Sequence, residues 1–139
     1  MWVLYAVLSA LFASLVAIFG KLGVKGVDSN LAVAIRTVIV VVFAWGIVFW
    51  QGTVGQIKSL TKFTWTFLVL SAIATGLSWL FYYRALQLGP ASKVAPIDKL
   101  SVALTVILAL LFLGEKPALG TLLGGALVTA GVLVAIYIK

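Results

Sequence analysis

Residues 30–50 read NLAVAIRTVIVVVFAWGIVFW, and this stretch decides the fold. It carries a single charged side chain, Arg36, within a run of apolar residues. A helix needs about 20 predominantly apolar residues to cross the hydrocarbon core of a bilayer. The stretch therefore predicts a transmembrane helix.

Similar apolar runs lie on both sides of this stretch, separated by polar or turn-forming segments. Glycine, lysine and aspartate follow the first run, a polar segment covers 51–62, and Gly89-Pro90 and residues 114–117 (GEKP) form sharp breaks. The predicted spans are about 2–19, 30–50, 64–83, 92–113 and 118–138. The sequence thus predicts an all-α integral membrane protein, with five transmembrane helices in a single domain.

The composition of the chain agrees with a membrane protein and limits its chemistry. Hydrophobic residues make up 64% of the 139 residues and charged residues 9%, against about 25% charged in a typical soluble domain. Cysteine and histidine are absent, and three acidic residues are present. The commonest metal ligands and the commonest general base are therefore missing. We expect no metal, no cofactor and no enzymatic activity.

The net charge of +7 does not indicate a nucleic-acid partner, because the basic residues are spread between the apolar runs. With five spans, the two termini lie on opposite sides of the membrane. On the N-terminal side the basic residues are Lys58, Lys62 and Lys116, and on the other side Lys21, Lys25, Arg84, Lys93 and Lys139. This bias orients the chain weakly. Two hypotheses follow: a single orientation with the loop after the first span in the cytoplasm, or dual topology, in which copies insert both ways.

Three charged residues lie well inside predicted spans, away from their ends, where charge is costly and often functional. Arg36 lies about two turns into the second span. It either extends back to the headgroups or binds an anion at the mouth of a cavity. Asp98 and Lys99 lie about two turns into the fourth span, just after Pro96. Neighbours on a helix point about 100° apart, so they are not expected to form a simple pair. Asp98 and Lys99 are candidate substrate-binding residues, and Asp98 is also a candidate for coupling transport to a gradient. The alternative is that Asp98 stabilises the helix N-terminus and Lys99 extends toward water.

The third span carries a polar stripe at helical spacing. The stripe either hydrogen-bonds neighbouring helices or forms a cavity wall that binds substrate. Its candidate substrate-binding residues are Ser71, Thr75, Ser78 and Tyr82, with Trp79 beside them.

The second half of the chain resembles the EamA-like branch of the drug/metabolite transporter superfamily. The residues that carry the resemblance are 83–92 (YRALQLGPAS), 95–100 (APIDKL), 111–116 (LFLGEK) and 123–132 (LGGALVTAGV). One departure is Ser101, where the family often has proline. The resemblance extends to the whole chain only in the number of spans.

The resemblance implies a function and an assembly. Members of this family usually have ten spans, arranged as two five-helix repeats of inverted topology, so this chain is similar to one half. A second, inverted copy would complete a transporter, which implies an antiparallel homodimer. The implied activity is alternating-access transport of a small-molecule substrate. Export is the expected direction. Zwitterionic or anionic metabolites such as amino acids are favoured as substrates, because Arg36 and Lys99 outnumber Asp98 within the spans. The implied location is the inner membrane of a bacterium or archaeon.

The last span carries small residues on one face. Gly120 and Gly124 form a GxxxG pattern, and Gly131 follows one heptad later. Small residues let helix backbones approach closely, within one protomer or between two. In the resembled family the last helix of each half lies at the contact between halves, which implies a dimer contact here.

Two alternative functions remain at this stage. The first is an antiporter of the small multidrug-resistance type. Those proteins have four spans and a glutamate in the first, whereas the first span here has no carboxylate. The second is an accessory membrane subunit of a flippase-like or assembly complex.

Overall fold

The computed structural model describes residues 1–138 as a series of helices. The helices are α1 (Trp2–Gly23), α2 (Ser29–Gln51), α3 (Lys62–Leu88), α4 (Ala91–Asp98), α5 (Leu100–Leu108) and α6 (Leu119–Tyr137). A short 3-10 helix, Thr53–Ser59, follows α2, and a π-helical turn, Ala109–Leu113, continues α5. No strand occurs between residues 1 and 138.

Five helical segments are long and apolar enough to cross a membrane, which confirms the predicted fold class. They are α1, α2, α3, the interrupted segment Ala91–Leu113, and α6. Most of their large apolar side chains are exposed, including Phe43 and Phe112 at 70% and 81%. Such surfaces are stable only where lipid or another protein covers them, because water disfavours exposed apolar area. The exposed apolar surface is thus suited to a lipid bilayer rather than to water.

The chain divides into two compact units. We call Gly20–Gln87 the α2–α3 unit, and Met1–Phe19 together with the chain from Leu88 onward the α4–α6 unit. In the α2–α3 unit, Leu86 and Val24 are almost completely buried. In the α4–α6 unit, α6 packs against α4 and α5.

Two helices run further than the sequence predicts. α1 continues past Phe19 to Gly23, and α3 continues past Tyr83 to Leu88. The Nζ of Lys21 donates a hydrogen bond to the carbonyl of Leu86, so a cation stabilises the last turn of α3. Gly89-Pro90 then ends the helix, because proline disfavours the helical conformation of the residue that precedes it.

Local capping residues fix both ends of α2. The Oδ1 atom of Asp28 accepts hydrogen bonds from the backbone N–H groups of Asn30 and Leu31, at 2.9 and 3.1 Å. This is the usual role of aspartate before the first turn of a helix. Gly52 ends α2 in the left-handed conformation, with a φ of 67°, which glycine adopts at little cost.

The fourth span is interrupted, whereas the sequence predicts one continuous helix. α4 ends at Asp98, and α5 begins at Leu100. Pro96 has no N–H group and cannot donate to the preceding turn. The N–H of Lys99 bonds to the Pro96 carbonyl at 2.9 Å, and the N–H of Val102 bonds to the Lys99 carbonyl at 3.0 Å, so the chain tightens at this point. The span therefore consists of two short helices that meet at Lys99.

Candidate functional site

Arg36 lies where α2 and α3 meet in the α2–α3 unit. Its guanidinium carbon is 4.1 Å from the ring centroid of Trp79 and 5.5 Å from that of Tyr83. Both distances are within the range of about 6 Å for an attractive cation–π interaction. The two rings are four residues apart on α3, so they share one helix face. The face of α3 that meets α2 is thus an aromatic surface for a cation.

The aromatic surface is held in place from the α1 side. The ring of Tyr83 is buried, with 6% exposed. A Cβ atom placed on Gly20 would be 3.3 Å from the Tyr83 hydroxyl oxygen and 3.2 Å from the Cδ1 of Leu86. Gly20, at the end of α1, therefore allows a close approach that any side chain would hinder. Tyr83 is fixed between Gly20 and Arg36.

One nitrogen of Arg36, Nη1, is buried and has no hydrogen-bond partner within residues 1–138. The neighbouring hydroxyl of Thr37 donates to the carbonyl of Val33 at 2.7 Å, which is on its own helix. A buried polar group without a partner is costly, and a charged one more so. The stacked position disfavours the prediction that Arg36 extends back to the headgroups. Binding of an anion by Arg36 stays a prediction.

The polar stripe of α3 is present as a helix face. The side chains of Ser71, Thr75 and Ser78 are exposed, and Tyr82 is half-buried. The hydroxyl of Thr75 donates to the carbonyl of Ser71 at 2.8 Å, within the same helix. No hydrogen bond from Ser71, Thr75 or Ser78 to another helix of their unit is found in the described chain. The role of the stripe in substrate binding stays a prediction.

Asp98 and Lys99 form an ion pair, which corrects the expectation from regular helix geometry. The Nζ of Lys99 is 3.4 Å from the Oδ2 of Asp98. The 100° spacing between neighbours does not apply here, because α4 ends at Asp98 and Lys99 is outside both helices. The two side chains are 39% and 51% exposed, with aspartate the less exposed. The interruption of the fourth span thus presents a neutral pair of opposite charges.

The glycines of α6 have open space beside them. A Cβ atom on Gly120, Gly124 or Gly131 would have no neighbour of its own unit within 4 Å. Their close-packing role within the α4–α6 unit, one of the two predictions for this face, is therefore not observed. The face remains available to a second chain, and the dimer contact stays a prediction.

Sequence reasoning missed a cavity of about 500 Å³ in the α2–α3 unit. It combines an acid, a base and an apolar wall, and none of its residues was a candidate. The sequence did contain an indication of this cavity. Asp28 precedes the second predicted span and Arg84 follows the third, so both are expected on the same side of the membrane. The lining residues are Asp28, Ser29, Asn30, Leu77, Leu80, Phe81 and Arg84.

Similar proteins place the chain in a family of transporters. The EamA-like transporter family matches residues 1–137. An uncharacterized transporter from the cobO 3′ region of Sinorhizobium sp is 47% identical over 132 residues, which cover 95% of this chain and 94% of that protein. No solved structure matches the chain significantly.

Two more distant relatives differ in how much they share with the chain. The uncharacterized protein MJ1333.1 of Methanocaldococcus jannaschii is 35% identical over 68 residues, about half of either chain. The uncharacterized transporter YvbV of Bacillus subtilis is 29% identical over 94% of this chain, which covers 43% of YvbV. Because the family match includes nearly every residue and all five membrane-spanning segments, this protein belongs to the EamA-like transporter family.

Proposed function

We propose that two copies of this chain, inserted in opposite orientations, form an alternating-access transporter that exports small zwitterionic or anionic metabolites such as amino acids. The observation that carries the proposal is a difference in length between relatives. The Sinorhizobium protein matches this chain over 94% of its own length, whereas in YvbV the same five-span segment accounts for 43%. In this proposal the five helices act as a single domain, equivalent to one repeat of a longer transporter.

The antiparallel arrangement is supported by a common plan of transporters and by two features of this chain. Inverted repeats that enclose a site near the middle of the membrane are a common plan of secondary transporters. The small difference in basic residues between the two sides, three against five, is compatible with insertion in both orientations. The open face of Gly120, Gly124 and Gly131 supplies a surface on which a second backbone can pack closely.

The substrate path is proposed from the polar groups within the spans. Arg36 and Trp79 contribute a fixed cation and an aromatic surface in the α2–α3 unit. Ser71, Thr75, Ser78 and Tyr82 supply hydroxyl groups along α3. Asp98 and Lys99 lie at the interruption of the fourth span, and interrupted helices commonly hold substrates or coupling ions in transporters.

The location and the non-enzymatic nature of the protein follow the same reasoning. Relatives from bacteria and an archaeon support an inner-membrane location in such a cell. Membership in a family of transporters supports a non-enzymatic role.

Reconstitution into liposomes tests the proposal directly. Purified protein is inserted into vesicles, and uptake of a labelled amino-acid panel is followed under a proton or sodium gradient. We expect gradient-dependent accumulation of at least one zwitterionic or anionic solute, absent from empty vesicles. Proton-driven movement of aromatic cations alone would favour the multidrug-resistance alternative. Absence of any transport unless a second membrane protein is added would favour the accessory subunit.

A further inference from the structure

The inference concerns the ligand of Arg36 and rests on the proposed transport function. Within residues 1–138, its Nη1 is the one buried side-chain nitrogen or oxygen without a hydrogen-bond partner. Its guanidinium packs against Trp79 at 4.1 Å and Tyr83 at 5.5 Å. The rings stabilise the charge but accept no strong hydrogen bond from Nη1. One donor of a fixed cation is thus left without an acceptor.

The position of this donor is fixed by packing around it. Tyr83 is buried against Gly20 of α1, and Trp79 lies one turn earlier on α3. Arg36 lies seven residues after the first residue of α2, or about 10 Å along the helix axis. Because Nη1 is buried, a ligand reaches it only after a neighbouring group moves, as alternating access requires. The arginine itself loses little conformational entropy on binding, because its orientation is set before the ligand arrives.

The charges near Arg36 limit which kind of ligand group can accept a hydrogen bond from Nη1. The guanidinium carries one positive charge, and no acidic side chain of the α2–α3 unit forms an ion pair with it. The hydroxyl of the adjacent Thr37 is used within α2. A group with a single negative charge and planar oxygens matches this environment, whereas a phosphate dianion would need further donors. Carboxylate has those properties.

We propose that Arg36 binds the carboxylate of the transported solute, with Trp79 beneath the guanidinium and Tyr83 as a positioning residue. We therefore expect Arg36 to bind carboxylic acids, including amino acids, and not the corresponding amides. Trp79 reports on the site, because a carboxylate that neutralises the stacked guanidinium changes the electrostatic field at the indole.

The test follows tryptophan fluorescence of the purified protein in phosphatidylcholine nanodiscs. The probes are acetate and acetamide, then leucine and leucinamide, with ionic strength held constant by chloride. We expect acetate and leucine to change the emission, their amides to leave it unchanged, and the change to disappear in Trp79→Phe. Inorganic phosphate is added as a second anion, and it should bind no better than acetate.

Substitutions then assign the response to Arg36. Arg36→Gln should weaken the acetate response about tenfold or more, the usual effect of removing a charge-assisted hydrogen bond. Arg36→Lys keeps the charge but not the planar fork, and it should also weaken the response. Lys58→Gln, which removes an exposed cation from the same unit, should leave it unchanged. An equal loss in Lys58→Gln, or an equal response to amides, overturns the proposal.

Two other occupants of the site are distinguished in the same assay. If wild type ignores acetate but Asp98→Asn responds, the acceptor of Arg36 is Asp98, and the proposal is wrong. If phosphatidylglycerol in the nanodiscs abolishes the acetate response, a lipid phosphate is the preferred ligand, and the proposal is again wrong. Transport of solutes without a carboxylate would refute this inference and leave the proposed transporter function intact. Carboxylate binding without transport would do the reverse.

Discussion

Gly20 of α1 lies so close to Tyr83 of α3 that a Cβ atom on Gly20 would be 3.3 Å from the tyrosine hydroxyl oxygen. This approach joins the end of the first span to the aromatic surface that supports Arg36. The α2–α3 unit therefore depends on a residue with no side chain at position 20.

Gly20→Leu should destabilise the protein, because the added side chain must displace Tyr83 or Leu86. Overpacking of this kind typically costs about 1–3 kcal/mol. Equilibrium unfolding in mixed micelles, followed by circular dichroism, measures the change. Gly23→Leu is the matched control on the same helix, since a Cβ atom there has no neighbour within 4 Å. Equal unfolding midpoints for the two variants would contradict the close approach.

Dual topology is expected to appear in labelling experiments on intact cells. Single cysteines at Lys25 and Lys58 lie in segments between spans that are predicted on opposite sides of the membrane, and the chain has no cysteine of its own. An impermeant maleimide should label each position partially. Labelling of one position with complete protection of the other would establish a single orientation and exclude the antiparallel homodimer.

Changing the charge bias should convert mixed insertion into one orientation. Moving two lysines from one side to the other is enough, because the starting difference is small. Each fixed variant alone should lose transport. Co-expression of two variants fixed in opposite orientations should restore it, and co-expression of two variants fixed in the same orientation is the control.

Gly124→Leu and Gly131→Leu should each reduce dimer recovery in mild detergent. The added side chains separate helices that pack through small residues. Both positions have open space within their own unit, so the monomer should fold normally. Gly46→Leu, at an equally open position on α2, is the control. If the α6 variants stay dimeric in cross-linking and light scattering, that face is not the contact.

Asp98→Asn should abolish gradient-driven uptake while the protein still folds and dimerises. Asparagine keeps the shape of aspartate and one acceptor oxygen but cannot ionise, so it cannot couple transport to a gradient by gaining or losing a proton. If the pair with Lys99 is instead structural, the variant should be less stable. The double variant Asp98→Asn with Lys99→Met should then recover, because the unpaired charge is removed. Normal uptake by Asp98→Asn would exclude it from the mechanism.

The number of spans could be predicted because membrane insertion depends on summed hydrophobicity, which the sequence states directly. The ends of α1 and α3 could not, because they depend on the contact between Lys21 and the Leu86 carbonyl, which are far apart in the chain. Hydropathy treats such a lysine as the start of a loop. Here Lys21 remains within α1, and its ammonium group stabilises the last turn of α3.

The candidate site was predicted in part, for a related reason. Arg36 and Trp79 were both candidates, since charge and aromatic rings within a span are unusual enough to notice. Their stacking depends on how α2 packs against α3, and no local pattern specifies that. The pairing of Asp98 with Lys99 was predicted wrongly. Pro96 indicated a lost hydrogen bond, but not that the helix would end two residues later.

The ion pair at the interruption of the fourth span also has a consequence for biosynthesis. A nascent segment leaves the translocon for lipid as one piece, and a charged side chain within it opposes that step, by up to about 2.5–3.5 kcal/mol at the centre of the helix. Asp98 and Lys99 are 3.4 Å apart in the folded chain, and if they pair in the same way during insertion, the segment enters with no net charge at this point. Removing one charge thus leaves the other exposed to lipid during synthesis, so single substitutions here should lower the yield of inserted chain before any transport step is affected.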